Sequence, residues 1–443
     1  MTVGAVSRTG SASESLSLAR LGGVAGAKLL TMLLGGIVQL FVARALGPRQ
    51  FGLCTALLAL ATPLAAVSTL GFQQTVLRFG ARSVACGDRR ALERIAKRAA
   101  TVAVLVGSFV AAAFVLLAPR DAAPDASLLW FLGGFLVPLG ALSLVLGSLL
   151  RVLERPLAAM LPEPLLRAAT MTFVLTAGVI FPFAPSAEDV MLASVTALVL
   201  TVLWSSRAAV GGLATVEDRS ATTVQNHEFI RATTYAFVLL TANALATRSV
   251  AAVLACVLAP EEFGPYALAL RFPDLLAVPC WGVTLIAAPR FASLQAAGRR
   301  EANAELLGRS RLVTTAFSVG PVLITTVFAE RLLGLFGPSY TVATTVLRLF
   351  ALKALVLAAI GPTLAALTML GGERTAALWM TLFGTLGVGA CGLAAARWGA
   401  VGGAVAQSLV EVAVAVACGR AVSRHAKHQI PQEGTPAPMR QAG

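Results

Sequence analysis

The sequence predicts an all-α, polytopic membrane protein of about twelve transmembrane helices. They form two six-helix lobes around a central cationic lumen, related by a pseudo-two-fold axis along the membrane normal. Three observations predict this. Apolar residues make up 57% of the 443 and charged residues only 13%, with a mean hydropathy of +0.81, a balance that water does not solvate in a globular domain. The apolar residues gather into twelve stretches, each near the ~20 residues that a bilayer core requires. The chain also repeats itself with a shift of 212 residues. The first observation alone excludes a cytosolic enzyme, a disulfide scaffold and a disordered chain.

In order, the stretches of the first lobe cover residues 18–44, 50–77, 99–118, 127–150, 163–184 and 189–210. Those of the second cover 232–258, 265–288, 312–335, 342–370, 375–396 and 400–422. The first stretch carries Lys28 in its middle, exceeds the length of a secretory signal core and runs straight into the second, so it is expected to remain as a helix. Residues 1–17 and 423–443 are polar or Pro-rich and are expected to be disordered cytoplasmic ends. Residues 18–215 and 230–422 form the two lobes, and 216–229 is the cytoplasmic linker between them.

Arginine and lysine set the orientation, because short loops rich in them stay on the cytoplasmic side. The segment from Arg78 to Arg98 holds seven bases against Asp88 and Glu93, and that from Arg290 to Arg311 holds five against Glu301 and Glu305. The alternate loops are richer in acid, with Asp121, Asp125, Glu188, Asp189, Glu261, Glu262 and Glu330. Both termini are therefore expected inside the cell. The net charge of +14 is read as these cytoplasmic loops and not as a nucleic-acid surface. Six cysteines lie scattered without a CxxC and three histidines lie outside the apolar stretches, so no metal, redox or cofactor site is expected.

The 212-residue shift aligns Leu46, Pro48, Phe51, Gly52 and Leu58 with Leu258, Pro260, Phe263, Gly264 and Leu270. It continues through Arg78, Phe79, Ala85 and Glu93 onto Arg290, Phe291, Ala297 and Glu305. Pro-x-x-Phe-Gly and Arg-Phe in constant register are stronger than apolar matches alone. Six spans per repeat is an even number, so the lobes insert with the same orientation, a plan that secondary transporters use to rock about a central site. The paired turns Pro48 to Gly52 and Pro260 to Gly264 are expected to approach each other and act as a gate.

Several strings resemble a known family. Ala43-Arg44-Ala45-Leu46-Gly47-Pro48-Arg49-Gln50-Phe51-Gly52-Leu53 resembles the first outer turn of the bacterial polysaccharide biosynthesis flippases. Leu335-Phe336-Gly337-Pro338-Ser339-Tyr340 is similar to the junction of their ninth and tenth spans, and Trp398-Gly399-Ala400-Val401-Gly402-Gly403-Ala404 to the glycine-rich start of their last span. The resemblance covers nearly the whole chain and implies the multidrug, oligosaccharidyl-lipid and polysaccharide (MOP) exporter superfamily. It further implies a bacterial cytoplasmic membrane and a lipid-linked oligosaccharide on a polyprenyl diphosphate as substrate. Membrane lipids and other polysaccharide assembly proteins are the implied partners. Some relatives have fourteen spans where this chain has twelve.

Ionisable residues inside spans are costly and tend to face a cavity. Lys28, Lys353 and Glu411 fall near mid-depth, Asp274 a little outward, and Arg271, Arg348 and Arg248 in the outer part. Five bases against two acids suit an anionic headgroup such as a diphosphate. Lys28, Thr31, Gly35 and Gln39 share one helical face, and so do Arg271, Asp274, Val278 and Trp281. Lys28, Arg248, Arg271, Lys353, Thr31 and Gln39 are therefore the candidate substrate ligands, and Asp274 and Glu411 the candidates for ion coupling. Against this stand plainer readings in which Lys28 snorkels and Arg271 only pairs with Asp274. A drug or metabolite exporter would need more buried acid. A membrane glycan polymerase or ligase would need a sizeable outer loop, and the chain has no His in a span and no nucleophile elbow.

Overall fold

The computed structural model describes residues 6–116, 124–180, 184–216, 249–296, 299–370 and 372–428. These residues form helices and short turns. The first half contains α1 (Val6–Ser68), α2 (Phe72–Cys86), α3 (Arg89–Leu116), α4 (Pro124–Val152), α5 (Pro156–Met160), α6 (Pro162–Ile180) and α7 (Ala187–Leu213). A helical stretch over 249–257 leads into α8 (Pro260–Ala269), α9 (Phe272–Leu276), α10 (Val278–Ala296), α11 (Arg300–Val327) and α12 (Ala329–Gly334). A 3-10 turn over Pro338–Ala343 then precedes α13 (Thr344–Ile360), α14 (Thr363–Met369) and α15 (Glu373–His428).

Eight helical segments among the described residues are long and apolar enough to cross a membrane. Two of them are pairs of helices. Gly47 in α1 and Gly399 in α15 interrupt the helix with φ of 69° and 60° and extended ψ, a backbone region open essentially to glycine alone. Hydroxyls within the segments return to their own backbone, as Thr62, Ser194 and Thr201 do to the carbonyls four residues earlier, which satisfies them where no water is present. α7 opens on a capping box, with the Ser186 N–H donating to Asp189 Oδ2 at 2.9 Å.

Several local expectations are corrected. The basic segments 78–98 and 290–311 are largely helical rather than loops, because each continues its neighbouring span as an amphipathic helix. Leu92, Ile95 and Ala99 of α3 are buried while Arg90, Arg94 and Lys97 are exposed. The stretch 265–288, expected as one span, is three helices with breaks at Leu270–Arg271 and Ala277. The stretch 342–370 begins in the 3-10 turn and breaks again at Gly361–Pro362, where the missing proline N–H ends the ladder. At the ends, α1 already begins at Val6 and α15 runs to His428, within segments expected to be disordered. The linker 216–229 lies outside the described residues apart from Val216.

The 212-residue register extends to the helices themselves. Shifting α3 gives 301–328 against the observed Arg300–Val327. Shifting α7 gives 399–425, the part of α15 that follows its break. Packing separates two ends of the molecule. At the end where Gly47 turns, one core joins both halves, with Val42, Leu46 and Phe51 packed among Phe263, Tyr266, Tyr340 and Phe350. At the end carrying the basic segments there are two cores. Val76, Phe79, Leu92, Ile95 and Leu150 form one, and Phe291, Leu307, Leu367 and Val422 the other. Each belongs to a single half.

Candidate functional site

The joint end is built by the two equivalent turns. Gly52 and Gly264 meet backbone to backbone, so that a Cβ on Gly52 would strike the Pro260 carbonyl and one on Gly264 the Pro48 carbonyl. The contact is reciprocal: either Cβ would also lie 3.1 Å from the other glycine's nitrogen, as a local two-fold axis between them requires. Across the same axis Arg49 Nε lies 3.2 Å from Glu261 Oε1. The Tyr340 hydroxyl donates to the Ala43 carbonyl at 2.8 Å, its ring sits edge-on to Phe51 with centroids 5.9 Å apart, and Arg44 Nε donates to the Leu335 carbonyl. Two of the family-like strings, 43–53 and 335–340, are thus in direct contact.

Behind this closure the second half holds a polar chain, buried at Lys353, Gln407 and Tyr266 and partly exposed at Glu411. Lys353 on α13 is 5% exposed, and its ammonium lies 3.0 Å from Glu411 Oε2 on α15 and 4.5 Å from the Phe350 ring centroid. Gln407 Nε2 donates to Glu411 Oε1 at 2.9 Å, and the Tyr266 hydroxyl on α8 donates to Gln407 Oε1 at 2.5 Å. Lys353 therefore has a carboxylate of its own. Sequence reasoning placed Lys353 and Glu411 at the same depth without pairing them. It also missed Gln407, although its spacing of four from Glu411 on one helix was a readable signal.

Arg271 and Asp274 sit at the broken part of the second half, on either side of the start of α9. Arg271 is exposed. Its own segment carries the acid Asp274, and α6 carries a further base, Arg167. Arg167 belongs to the other half. Its Nε is buried without a hydrogen-bond partner, while its Nη2 lies 3.5 Å from Glu163 Oε1 one helical turn earlier. Arg167 was passed over in the sequence because it falls close to the end of its apolar stretch. In α1, Thr31 is buried and Gln39 half-buried, while Leu30, Leu33, Ile37 and Phe41 are exposed on the opposite face of the helix. The side chain of Lys28 and the whole of Arg248 lie outside the described residues. No cluster of metal-ligating residues occurs among the described residues.

Comparison with known proteins accords with this architecture. The family model described as polysaccharide biosynthesis protein matches residues 22–295. No curated protein matches the chain. Among solved structures, an inward-facing multidrug resistance transporter of the MATE family and MOP superfamily is similar, with a TM-score of 0.65 at 14% identity over 92% of this chain and all of that one. The lipid II flippase MurJ in an inward closed conformation matches with a TM-score of 0.64 at 11% identity, over 88% of this chain and 85% of its own. A MOP-superfamily transporter from Pyrococcus furiosus, described as having a binding pocket of reversed polarity, matches with a TM-score of 0.57 at 14% identity, over 91% and 92%. The chain therefore belongs to the polysaccharide biosynthesis protein family, and its fold is the one shared by these solved MOP-superfamily structures.

Proposed function

We propose that this protein moves a polyprenyl-diphosphate-linked oligosaccharide across a bacterial cytoplasmic membrane by alternating access. Twelve spans in two six-span halves would be related by an axis along the membrane normal, with both termini in the cytoplasm. The observation that carries the reading is the packing of the two halves, which share one core around the Gly52–Gly264 contact while each keeps a core of its own at the end of the basic segments. Arg167, whose Nε is buried without a hydrogen-bond partner, and Arg271 are the guanidiniums assigned to the anionic headgroup, which a cationic lining favours. A diphosphate presents several oxygens at the spacing that guanidinium forks take in pairs. Lys28 and Arg248 supply further positive charge, Thr31 and Gln39 hydrogen bonds, and Asp274 offers a coupling cation a place beside Arg271. An exporter of organic cations would favour acids facing the opening.

Rocking of the two halves parts and remakes the Gly52–Gly264 contact and so exposes the opening to each side in turn, with the lipid tail left in the bilayer. Removal of the protein from its native cell is expected to cause a polyprenyl-diphosphate oligosaccharide to accumulate on the cytoplasmic leaflet. In proteoliposomes, Arg271→Ala should abolish flipping of that lipid and Arg271→Lys retain part of it. The double variant Arg271→Gln/Asp274→Asn should stay inactive, whereas full activity in it would reduce Arg271 to a counter-ion for Asp274. Absence of any accumulated lipid-linked intermediate would overturn the substrate class.

A further inference from the structure

The chain Lys353–Glu411–Gln407–Tyr266 has no counterpart in the first half. The 212-residue register places Ala141, Val199, Val195 and Cys54 at the equivalent positions, so the fold is built once without it. Its members nevertheless lie on three different elements: α13, the second helix of α15, and α8. α8 is the helix that carries Pro260, Glu261 and Gly264 against the first half, and Tyr266 stands two residues beyond Gly264.

The hydrogen bonds of this chain converge on Glu411. Lys353 and Gln407 both donate to the Glu411 carboxylate, one to each oxygen. With its amide nitrogen committed to that carboxylate, Gln407 turns its oxygen toward α8, where it can only accept, and the Tyr266 hydroxyl donates to it. The negative charge on Glu411 thus sets the orientation of an amide whose far side holds the tyrosine. The aromatic rings repeat the connection. Phe350 lies under the Lys353 ammonium, Tyr266 is edge-on to Phe350 at 5.7 Å, and Phe263 stacks on Tyr266 at 6.1 Å. The Tyr266 and Phe263 side chains are buried at 0% and 1% exposure, so neither can shift without moving α8 itself.

From this geometry we infer that Lys353, Glu411, Gln407 and Tyr266 form a latch that holds α8 in the closed arrangement of the two turns. Lys353 and Glu411 are then positioning residues and not ligands of the transported anion. The inference rests on the alternating-access reading, because a latch matters only if the turns part. Breaking the ion pair strands a buried ammonium and frees the amide to rotate, and either change releases Tyr266. Breaking the tyrosine bond alone releases α8 while the pair survives.

The test is a distance measurement between spin labels at the exposed positions Gln50 and Glu262, in the full chain in lipid nanodiscs. Tyr266→Phe keeps every ring contact and removes one hydroxyl, so it serves where a charge variant fails to fold. It should raise the separated population about fivefold, the shift that loss of one ordinary net hydrogen bond produces. Glu411→Gln and Lys353→Met should raise it at least as much. The double variant Tyr266→Phe/Glu411→Gln should not exceed the stronger of the two single variants, because the residues act in series. The swap Lys353→Glu/Glu411→Lys should return part of the closed population, which loss of mere packing would not. Additive effects of Tyr266→Phe and Glu411→Gln overturn the latch. Gly52→Ala obstructs the turn contact directly: separation there but in none of the network variants also overturns the latch and leaves alternating access standing. Separation in no variant, Gly52→Ala included, overturns both.

Discussion

The two halves share a backbone plan and differ in what they place on it. At the joint end, equivalent residues face each other: Gly52 meets Gly264 and Arg49 meets Glu261, each pair separated by 212 in sequence. A two-fold contact between identical copies would oppose like residues, so a charged position would repel itself. Here one copy carries the base and the other the acid. Away from the axis the difference widens. Arg271 and Asp274 stand where the first half has Ala59 and Thr62, and Arg167 where the second has Trp379. Backbone contact has been retained as a symmetric pair of glycines, and chemistry has been made asymmetric around it. The symmetric part builds the contact between the halves, and the asymmetric part carries the charges.

The largest effect is expected from breaking the symmetric part. A methyl group on Gly52 or Gly264 meets a carbonyl carbon or oxygen of the facing backbone, which cannot rotate aside as a side chain would. Overpacking of a close contact costs on the order of 1–3 kcal/mol, or about a fivefold to 160-fold loss of the closed state. Gly52→Ala and Gly264→Ala are therefore expected to reduce flipping by at least that factor at unchanged membrane levels. They should act equally, since each residue is the other's image. A severe defect in one and none in the other would show that the contact is not used as a two-fold.

A smaller effect tests the asymmetric part. Arg167→Ala removes the first-half member of the arginine pair and should lower the rate of flipping about tenfold, mainly by weakening binding, since Arg271 remains. Arg167→Lys should recover only part, because a point charge replaces a bidentate fork. Measured against an uncharged lipid of the same chain length, the variant should show no difference from the wild type. An equal loss for both lipids would assign Arg167 to the packing of α6.

Much of the fold was legible in the sequence, because hydropathy and Pro/Gly punctuation are local signals. Pro48, Gly52, Pro260 and Gly264 marked both turns, and the fixed register between them pointed to their contact. The breaks around Arg271 were less legible, since Pro273 and Pro279 signal a weak point without saying on which residue the helix yields. The helical character of the basic segments was missed because hydropathy averages over Leu92 and Ile95, whose burial depends on period and not on mean. Partnership was the least legible feature. Lys353 and Glu411 lie on different helices, and only packing decides that they spend their charges on each other instead of on a ligand. Arg167 shows the same limit from the other side, because a base near the end of a span resembles an interfacial anchor until the burial of its Nε is known.

The smallest effect is expected at the charges that break the symmetry of the turn. Arg49 and Glu261 are 76% and 51% exposed, and an exposed pair of this kind contributes about 0–1 kcal/mol, less at high salt. Arg49→Ala or Glu261→Ala should therefore slow flipping less than about fivefold. Arg49→Glu should do more harm than Arg49→Ala, because it restores the like-charge encounter that the duplication would have created. The swap Arg49→Glu/Glu261→Arg should return activity to near the wild type, as a contact across a two-fold axis has no preference for which copy carries which sign. Flipping measured at low and high ionic strength separates the terms. The harm done by Arg49→Glu should shrink as salt rises, and the defect of Gly52→Ala should not change. If the swapped protein remains as impaired as Arg49→Glu, the turn reads each residue in its own surroundings, and the two-fold does not extend to its charges.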